Sequence, residues 1–453
     1  MYLTPILWIE IGVAILIGLA FLLTKAEYGL FLYAFALGFP DVALPLGTTI
    51  NLRVDDVLIL LFLARTILWA AAPLSQSQRN IFKWEEIFLV ACLLSIAVEM
   101  VRGTSPAGYD TAKMAGCAVI VLVLPRLMQS ERRLRFFIAG LMCAGVALVI
   151  QVFMHLGATS SNDFANFQEM KSAATFSTWN PNTIGQAASL LVFAAGLGGI
   201  VFSKTLATRI LWPCLAMGFA VVPALVFVRG TSLSIAAGFV LFLCMVRRWK
   251  WLLVFVAACL SVALYLHSRD PQLMKDATTV NLTTGEGFSH RFERGDTALR
   301  AIHTAPFLGH GFGQEMSYLN LMGSEGRAHN AYLAVWLELG LGGLLLFLTA
   351  IIQFVKAGLS LYRNPRFQLQ GALILSVMIA LGLDSLGLPT LYWEKLPTIT
   401  LSLAVAVIGI CERDQLELYE KDASTLANEP FPQYSLDRLL FTETIHHFAA
   451  KSA

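Results

Sequence analysis

Residues 329–356 read HNAYLAVWLELGLGGLLLFLTAIIQFVK, a long and almost uncharged apolar stretch. Between the polar pair at its start and Lys356 at its end, it holds a single charged residue, Glu338. A run of about 20 apolar residues is long enough to cross the hydrocarbon core of a bilayer as a helix. Similar runs recur along the chain, and the sequence predicts them at 5–23, 28–46, 55–72, 84–101, 112–128, 134–157, 182–203, 208–228, 231–246, 250–267, 329–356, 368–388 and 395–411.

These segments predict an all-α fold, a polytopic membrane helical bundle with 12–13 transmembrane helices. Only helices and closed barrels satisfy the backbone in lipid, and the runs are too long for barrel strands. The second segment is interrupted by Gly38-Phe39-Pro40-Asp41, so 12 spans are as defensible as 13. The composition agrees, because 57% of the residues are hydrophobic and only 14% are charged, against about 25% charged residues in soluble domains.

The composition also excludes several classes of function. The net charge of +2 and the lack of a basic stripe argue against a nucleic-acid partner. The seven cysteines lie in or beside apolar runs and form no Cys-x-x-Cys pattern, so neither structural zinc nor a disulfide framework is expected. The chain has no Walker A sequence and no metal-typical pair of carboxylates. We therefore expect no metal, no cofactor and no use of ATP.

Basic residues predict the orientation of the bundle. They cluster in three short loops, at 126–135, 247–250 and 356–366, which the positive-inside rule assigns to the cytoplasm. By alternation, the opposite side holds the loops 158–181, 228–231, 268–328 and 385–394. Residues 1–411 are thus expected to form one transmembrane domain that includes the large outward loop 268–328. A charged cytoplasmic tail is expected at 412–453.

Arginines on the outward side are candidate anion ligands. Arg229 stands between two apolar runs, either as an interfacial cation that snorkels to water or as part of an anion site at the next helix start. Arg291, Arg294 and Arg300 lie within ten residues. A guanidinium binds phosphate through two parallel hydrogen bonds. The alternative is a salt-bridged surface helix with acidic partners at 293 and 296, and Arg300 in particular fits a helix surface.

Titratable residues mark the helices that border the same side. His329 opens an apolar helix directly after the large loop, where it could cap the helix or act as a general base, since its ordinary pKa is about 6.5. Glu338, deeper in that helix, is either a functional acid or a structural polar group. Asp384 is predicted near the outer end of the next helix, either in a helix–helix hydrogen bond or beside a cationic or histidine partner.

Three stretches resemble the O-antigen ligase and polymerase family of bacterial polysaccharide assembly. They are Arg229-Gly230, the pattern R-x3-G-x2-AL-x2-I-x3-P-x2-G-x-G from Arg291 to Gly311, and AHNAYLAVWLELGLGGLLLF at 328–347. The stretch WNPNTIGQ at 179–186 is similar to the family's Asn-Pro-Asn stretch before a helix. The likeness covers about residues 180–390, and the first 150 residues share only their hydrophobicity.

The resemblance implies a metal-independent glycosyltransferase, similar in architecture to the GT-C class. Such an enzyme takes a glycan from undecaprenyl diphosphate at the periplasmic face of the bacterial inner membrane. The acceptor is lipid A–core for a ligase or another lipid-linked glycan for a polymerase, and we favour the polymerase. By motif, the catalytic residues fall on His329, Arg229 and Arg291, and substrate binding is expected from Arg294, Asp384, Asn180 and Asn330.

Two positions depart from the family pattern. Val228 replaces the usual serine before Arg229-Gly230, and Gly295 replaces an aromatic residue four positions after Arg291. The second change leaves the choice between Arg291 and Arg294 open. A flippase or other polysaccharide transporter is the alternative function, because it would explain the helix count and the membrane carboxylates. It would not explain a large outward loop that is rich in arginine.

Overall fold

A computed structural model gives the fold, and it describes residues 25–38, 43–46, 50–53, 58–63, 73–102, 108–158, 181–225, 228–269, 288–324, 327–387 and 394–428. The predicted first span, 5–23, and most of the third, 55–72, lie outside these residues. The helices of the described part are α1 (Ala26–Ala36), α2 (Gln76–Val101), α3 (Gly108–Leu127), α4 (Glu131–Ala158), α5 (Pro181–Phe202), α6 (Leu206–Leu225), α7 (Arg229–Met245), α8 (Trp249–Arg269), α9 (Phe288–Thr304), α10 (Glu315–Leu321), α11 (Ala331–Arg363), α12 (Gln368–Gly387) and α13 (Lys395–Asn428).

The predicted helical membrane bundle is confirmed. Six described helices have the length and apolar composition needed to cross a membrane, and they cover Glu131–Val152, Asn182–Phe202, Leu206–Ala224, Ala331–Arg363, Gln368–Gly387 and Lys395–Lys421. Residues Gly230–Met245 form a shorter apolar helix. The predicted large loop contains the helices α9 and α10.

One predicted span is wrong in its structure. The segment 28–46 contains helix α1, which ends at Ala36, and then the strand β1 (Ala43–Leu46), which pairs antiparallel with β2 (Ile50–Arg53). An 11-residue helix rises about 16 Å, about half of the hydrocarbon thickness. The interruption by Gly38 and Pro40 in the sequence marks the place where the helical pattern stops.

The first part of α13 lies at the centre of the bundle. Its residues from Ile399 to Ile408 are almost completely buried. The buried Gln78 side chain in the first turn of α2 donates a hydrogen bond to the Val405 carbonyl oxygen at 3.0 Å. The chain forms two compact units, residues 1–411 and 412–453, and α13 begins in the first and ends in the second. The cytoplasmic location of the tail stays a prediction.

Helix α11 is broken at Gly340, and the segment 305–315 fills the break. Gly340 has φ +69° and ψ −171°, a conformation that only glycine adopts easily. The carbonyl oxygens of Leu337 and Glu338 accept hydrogen bonds from the backbone N–H groups of His310 and Gly311, at 2.8 and 2.9 Å. The carboxylate of Glu338 also accepts from the Gly313 N–H at 3.0 Å. Glu338 is therefore a structural polar group that fastens the large loop to α11.

Candidate functional site

A contact between His329 and Arg294 is the centre of the candidate site. Arg294 Nη1 lies 2.8 Å from His329 Nε2. A guanidinium has no acceptor atom, so it must donate, and His329 Nε2 must accept. A hydrogen bond of this kind requires a neutral imidazole that carries its proton on Nδ1. His329 also has a positive φ of +53°, which is uncommon for a residue other than glycine.

The packing of α9 against α11 brings these two residues together. Ala298, Ala301 and Ile302 of α9 are buried in a small apolar cluster with Leu337 of α11. Arg294 lies one turn before Ala298, so it reaches the start of α11. Arg291 lies a further turn back in α9, and its side chain is outside the described part of the structure. Arg300 pairs with Asp296 on an exposed face, as the salt-bridged interpretation predicts for this residue.

Asn330 is the N-cap of α11. Its side-chain oxygen accepts hydrogen bonds from the Tyr332 and Leu333 N–H groups at 3.0 and 3.1 Å. Asparagine is among the residues preferred at this position because its oxygen satisfies N–H groups that lack a partner within the helix. The contacts give Asn330 the structural task of starting the helix directly after His329. Its part in substrate binding stays a prediction.

The end of α12 connects the histidine to the start of α7. The Tyr332 hydroxyl donates a hydrogen bond to the Gly382 carbonyl oxygen at 3.3 Å. Two residues later on α12, Asp384 is buried, and its Oδ1 accepts a 2.8 Å hydrogen bond from the Thr231 hydroxyl. Asp384 thus has a threonine partner across a helix–helix contact, which was one of the two interpretations left open by the sequence. Sequence reasoning counted Thr231 only for its backbone at a helix start that could bind an anion, and it singled out neither the Thr231 hydroxyl nor Tyr332.

The first turn of α5 packs against the first turn of α7. A methyl group at Gly185 would stand 3.1 Å from Thr231 Oγ1 and 3.2 Å from a side-chain carbon of Val228. An alanine at this position would require Thr231 or Val228 to shift by a few tenths of an ångström. Asn180 directly precedes the start of α5 at Pro181, and it lies outside the described residues.

Three helices therefore begin at one end of the bundle, where α12 ends. The helices α5, α7 and α11 start near Gly185, Thr231 and Tyr332, which the contacts above join through α12. Helix N-termini carry free N–H groups and a partial positive charge, so they attract anions. Arg229 is the first residue of α7, and the described part of the structure does not include its side chain. Within the described residues, His, Cys, Asp and Glu form no group of three that could hold a metal ion.

Comparison with known proteins supports the resemblance that the motifs suggested. Residues 227–348 match a family model described as O-Antigen ligase. The match includes Arg229, Arg291, Arg294 and His329, and it leaves Asp384 outside. None of the curated proteins compared with the chain matches it.

The fold and the family match together define the class of this protein. It is a multi-pass α-helical membrane protein, and its residues 227–348 match the O-Antigen ligase family model. The resemblance to this family is confirmed over residues 227–348. The family implies lipid-linked glycans as substrates and membrane lipids as the surroundings of the protein.

Proposed function

We propose that this protein is an inverting, metal-independent glycosyltransferase. It transfers a glycan from undecaprenyl diphosphate to a sugar hydroxyl at the periplasmic face of the bacterial inner membrane. The observation that carries this proposal is the Arg294–His329 contact, because it joins a phosphate-binding group to a base at the end where three helices begin. Transfer of an activated glycan needs both groups in one place.

The charge of the donor's leaving group explains why the site needs arginines. When the bond between the anomeric carbon and the phosphate oxygen breaks, negative charge builds on the diphosphate. Fixed cations and helix N-termini stabilise that charge most strongly in a site that excludes water. We assign this role to Arg229 and to Arg294, with Arg291 one turn before Arg294 on the same helix. Their permanent charges supply what the transition state requires.

His329 acts as the general base. The acceptor hydroxyl attacks the anomeric carbon from the face opposite the diphosphate, and its proton passes to His329 Nε2. A single displacement of this kind forms one C–O bond, breaks another and inverts the anomeric centre. The neutral state of His329 suits the role, because only the neutral imidazole has a lone pair on Nε2.

Arg294 must leave His329 before the base can act, since it occupies the only lone pair of the ring. A diphosphate is the better acceptor for a guanidinium, because its oxygens are negatively charged and can take two parallel hydrogen bonds, whereas the neutral imidazole offers one lone pair. Binding of the donor would therefore draw Arg294 away and free Nε2. This sequence of events predicts that the donor binds before the acceptor is deprotonated.

Asp384 and Thr231 position the anion site. Their hydrogen bond fixes the first turn of α7, and with it the backbone of Arg229, against the end of α12. In this proposal, Asp384 serves substrate binding by holding the helix start that receives the diphosphate. Asn180 and Asn330 stay predicted substrate contacts.

The charge of the loops supports a periplasmic site. Met245 and Tyr362, at the opposite ends of α7 and α11, are joined by a 3.0 Å hydrogen bond. Exposed Arg247, Arg248 and Arg363 lie at that end. The positive-inside rule assigns such an end to the cytoplasm, which puts His329 on the periplasmic side.

Purified protein in lipid nanodiscs tests the proposal. Undecaprenyl-diphosphate-linked repeat units are supplied with and without a lipid A–core acceptor, and the products are separated by size. We expect glycan transfer without ATP or an ion gradient, and NMR of the new linkage should show inversion. Net movement of intact lipid-linked glycan across a proteoliposome membrane, without transfer, would favour the flippase instead.

The product distinguishes polymerase from ligase. Longer lipid-linked chains, formed in the absence of lipid A–core, identify a polymerase. Joining of the glycan to lipid A–core, without any lengthening of the chain, identifies a ligase.

A further inference from the structure

Two exposed apolar residues interrupt the polar outward loop. Phe307 is 71% exposed and Leu308 is 84% exposed, and we call this pair the apolar turn. It directly follows Pro306, after the end of α9 at Thr304. Exposure of two large apolar side chains to water is unfavourable. The position of the turn relative to the membrane decides whether these side chains contact water or lipid.

The backbone of the apolar turn is fixed to the break in α11. The Pro306 carbonyl oxygen accepts hydrogen bonds from the Leu341 N–H at 2.9 Å and from the Trp336 indole N–H at 3.0 Å. A methyl group at Gly340 would collide with the Phe307 carbonyl group. The turn therefore lies at the height of Gly340, and it is held there on both sides of the break.

The length of α11 indicates where this height falls in a bilayer. Its 33 residues are divided at Gly340, and the 23 residues after the break rise about 35 Å, slightly more than the roughly 30 Å of hydrocarbon. If about 20 residues ending at Lys356 cross the hydrocarbon, the crossing begins near Leu337, and if they end at Arg363 it begins near Leu344. Gly340 is within about one helical turn of the hydrocarbon boundary in both cases.

The exposed side chains of α11 support this depth. Leu345, Ile352 and Leu359 are exposed at intervals of seven residues, which places them on one face of the helix. This apolar face begins one helical turn beyond the break. Trp336, one turn before Gly340, is of the residue type enriched at the boundary between hydrocarbon and headgroups.

We propose that the apolar turn inserts into the membrane and contacts the acyl chains of the adjacent leaflet. The large loop is then fastened to the lipid as well as to α11, and the bilayer fixes the height of the C-terminal end of α9. Arg294 lies in the first half of the same helix, ten residues before its end. This inference stands on the depth of the turn, and it does not depend on the proposed reaction.

Photo-crosslinking to lipid tests the contact. Benzoylphenylalanine replaces Leu308 in one variant and Arg300 in a matched control, since Arg300 is an exposed residue of α9 with a charged side chain. Both proteins are placed in nanodiscs of phosphatidylcholine and phosphatidylglycerol, irradiated, and analysed by intact mass. We expect phospholipid adducts at position 308 at five times the control yield or more. Equal yields at the two positions would overturn the proposal.

Two further measurements complete the experiment. Because Leu308 is exposed, its replacement leaves the core unchanged, and the measurement is repeated at Phe307 so that the result does not depend on one variant. Undecaprenyl phosphate is then added to a second set of nanodiscs. An adduct that forms only in its presence would assign the turn to a substrate chain and overturn the contact with bulk lipid.

Discussion

The two ends of the helix group α7, α11 and α12 are held together in different ways. At one end, Tyr362 donates a hydrogen bond to the Met245 carbonyl oxygen, and Gly371 packs directly on the backbone of Tyr362. At the other end, Asp384 accepts a hydrogen bond from Thr231 in the first turn of α7, and His329 is contacted by Arg294. The first end uses neutral groups and close packing, whereas the second uses groups that carry or exchange charge.

This difference indicates that the end with Tyr362 serves as scaffold and that the end with His329 is the candidate site. Neutral hydrogen bonds and glycine contacts hold helices in place without responding to a substrate. An acid, a base and a guanidinium at the other end can respond to a diphosphate and to a proton. Substitutions at the first end should therefore lower stability, and substitutions at the second should lower glycan transfer while the fold persists.

Replacement of His329 should have the largest effect. Loss of a general base costs about 10²–10⁴-fold in rate, so we expect His329→Ala to reduce transfer by that factor while thermal unfolding is unchanged. The measurement is glycan transfer in nanodiscs, normalised to folded protein. Near-normal transfer would remove His329 from the mechanism. Substitutions at the two ends of the helix group would then not differ in their effect on transfer.

Replacement of the arginines should have the next largest effect on transfer. We expect Arg229→Ala and Arg294→Ala each to lower transfer by about 10²–10³-fold, because in the proposed reaction each supplies positive charge to the diphosphate leaving group. Arg291→Ala, measured beside them, decides which arginine of α9 binds the diphosphate. A larger loss for Arg291 than for Arg294 would contradict the assignment made from the Arg294–His329 contact.

The hydrogen bond between Asp384 and Thr231 both packs α12 against α7 and involves a charged group. Thr231→Val removes the donor, and we expect transfer to fall about tenfold, the equivalent of about 1.4 kcal/mol. Asp384→Asn keeps an oxygen acceptor for Thr231 and should retain most of the activity. If the asparagine variant loses more than the valine variant, the charge of Asp384 acts directly on the substrate.

Gly371→Ala tests the scaffold end. The added methyl group would collide with the backbone of Tyr362, and overpacking of this kind costs about 1–3 kcal/mol. We expect a lower unfolding temperature and unchanged transfer per folded molecule. Selective loss of transfer in a fully stable protein would show that this end also serves the reaction.

Tyr362→Phe should have the smallest effect. It removes one hydrogen bond, to the Met245 carbonyl oxygen, which contributes about 1 kcal/mol to stability. Glycan transfer should equal that of the natural protein. This variant is the matched control for His329→Ala, since both lie at ends of α11.

The sequence was a sufficient guide wherever the signal is local. Long apolar runs predicted α4, α5, α6, α11, α12 and α13 as membrane-crossing helices, because a single helix in lipid must satisfy its own backbone. The same reasoning failed at 28–46, where average hydrophobicity concealed a short helix and a hairpin. It also left Glu338 undecided, because its partners come from the loop before α11.

Local sequence signals were enough to predict a helical membrane bundle, and the motifs pointed to His329 and to the arginines around it. Which of these residues meet became clear only from the packing of the helices. Arg294 and His329 are 35 positions apart, and Asp384 and Thr231 are 153 apart. Hydrophobic periodicity specifies what each helix buries, but contacts over such separations depend on how whole helices pack. The pairing that defines the candidate site was therefore decided by the packing of α9 on α11 and of α7 on α12.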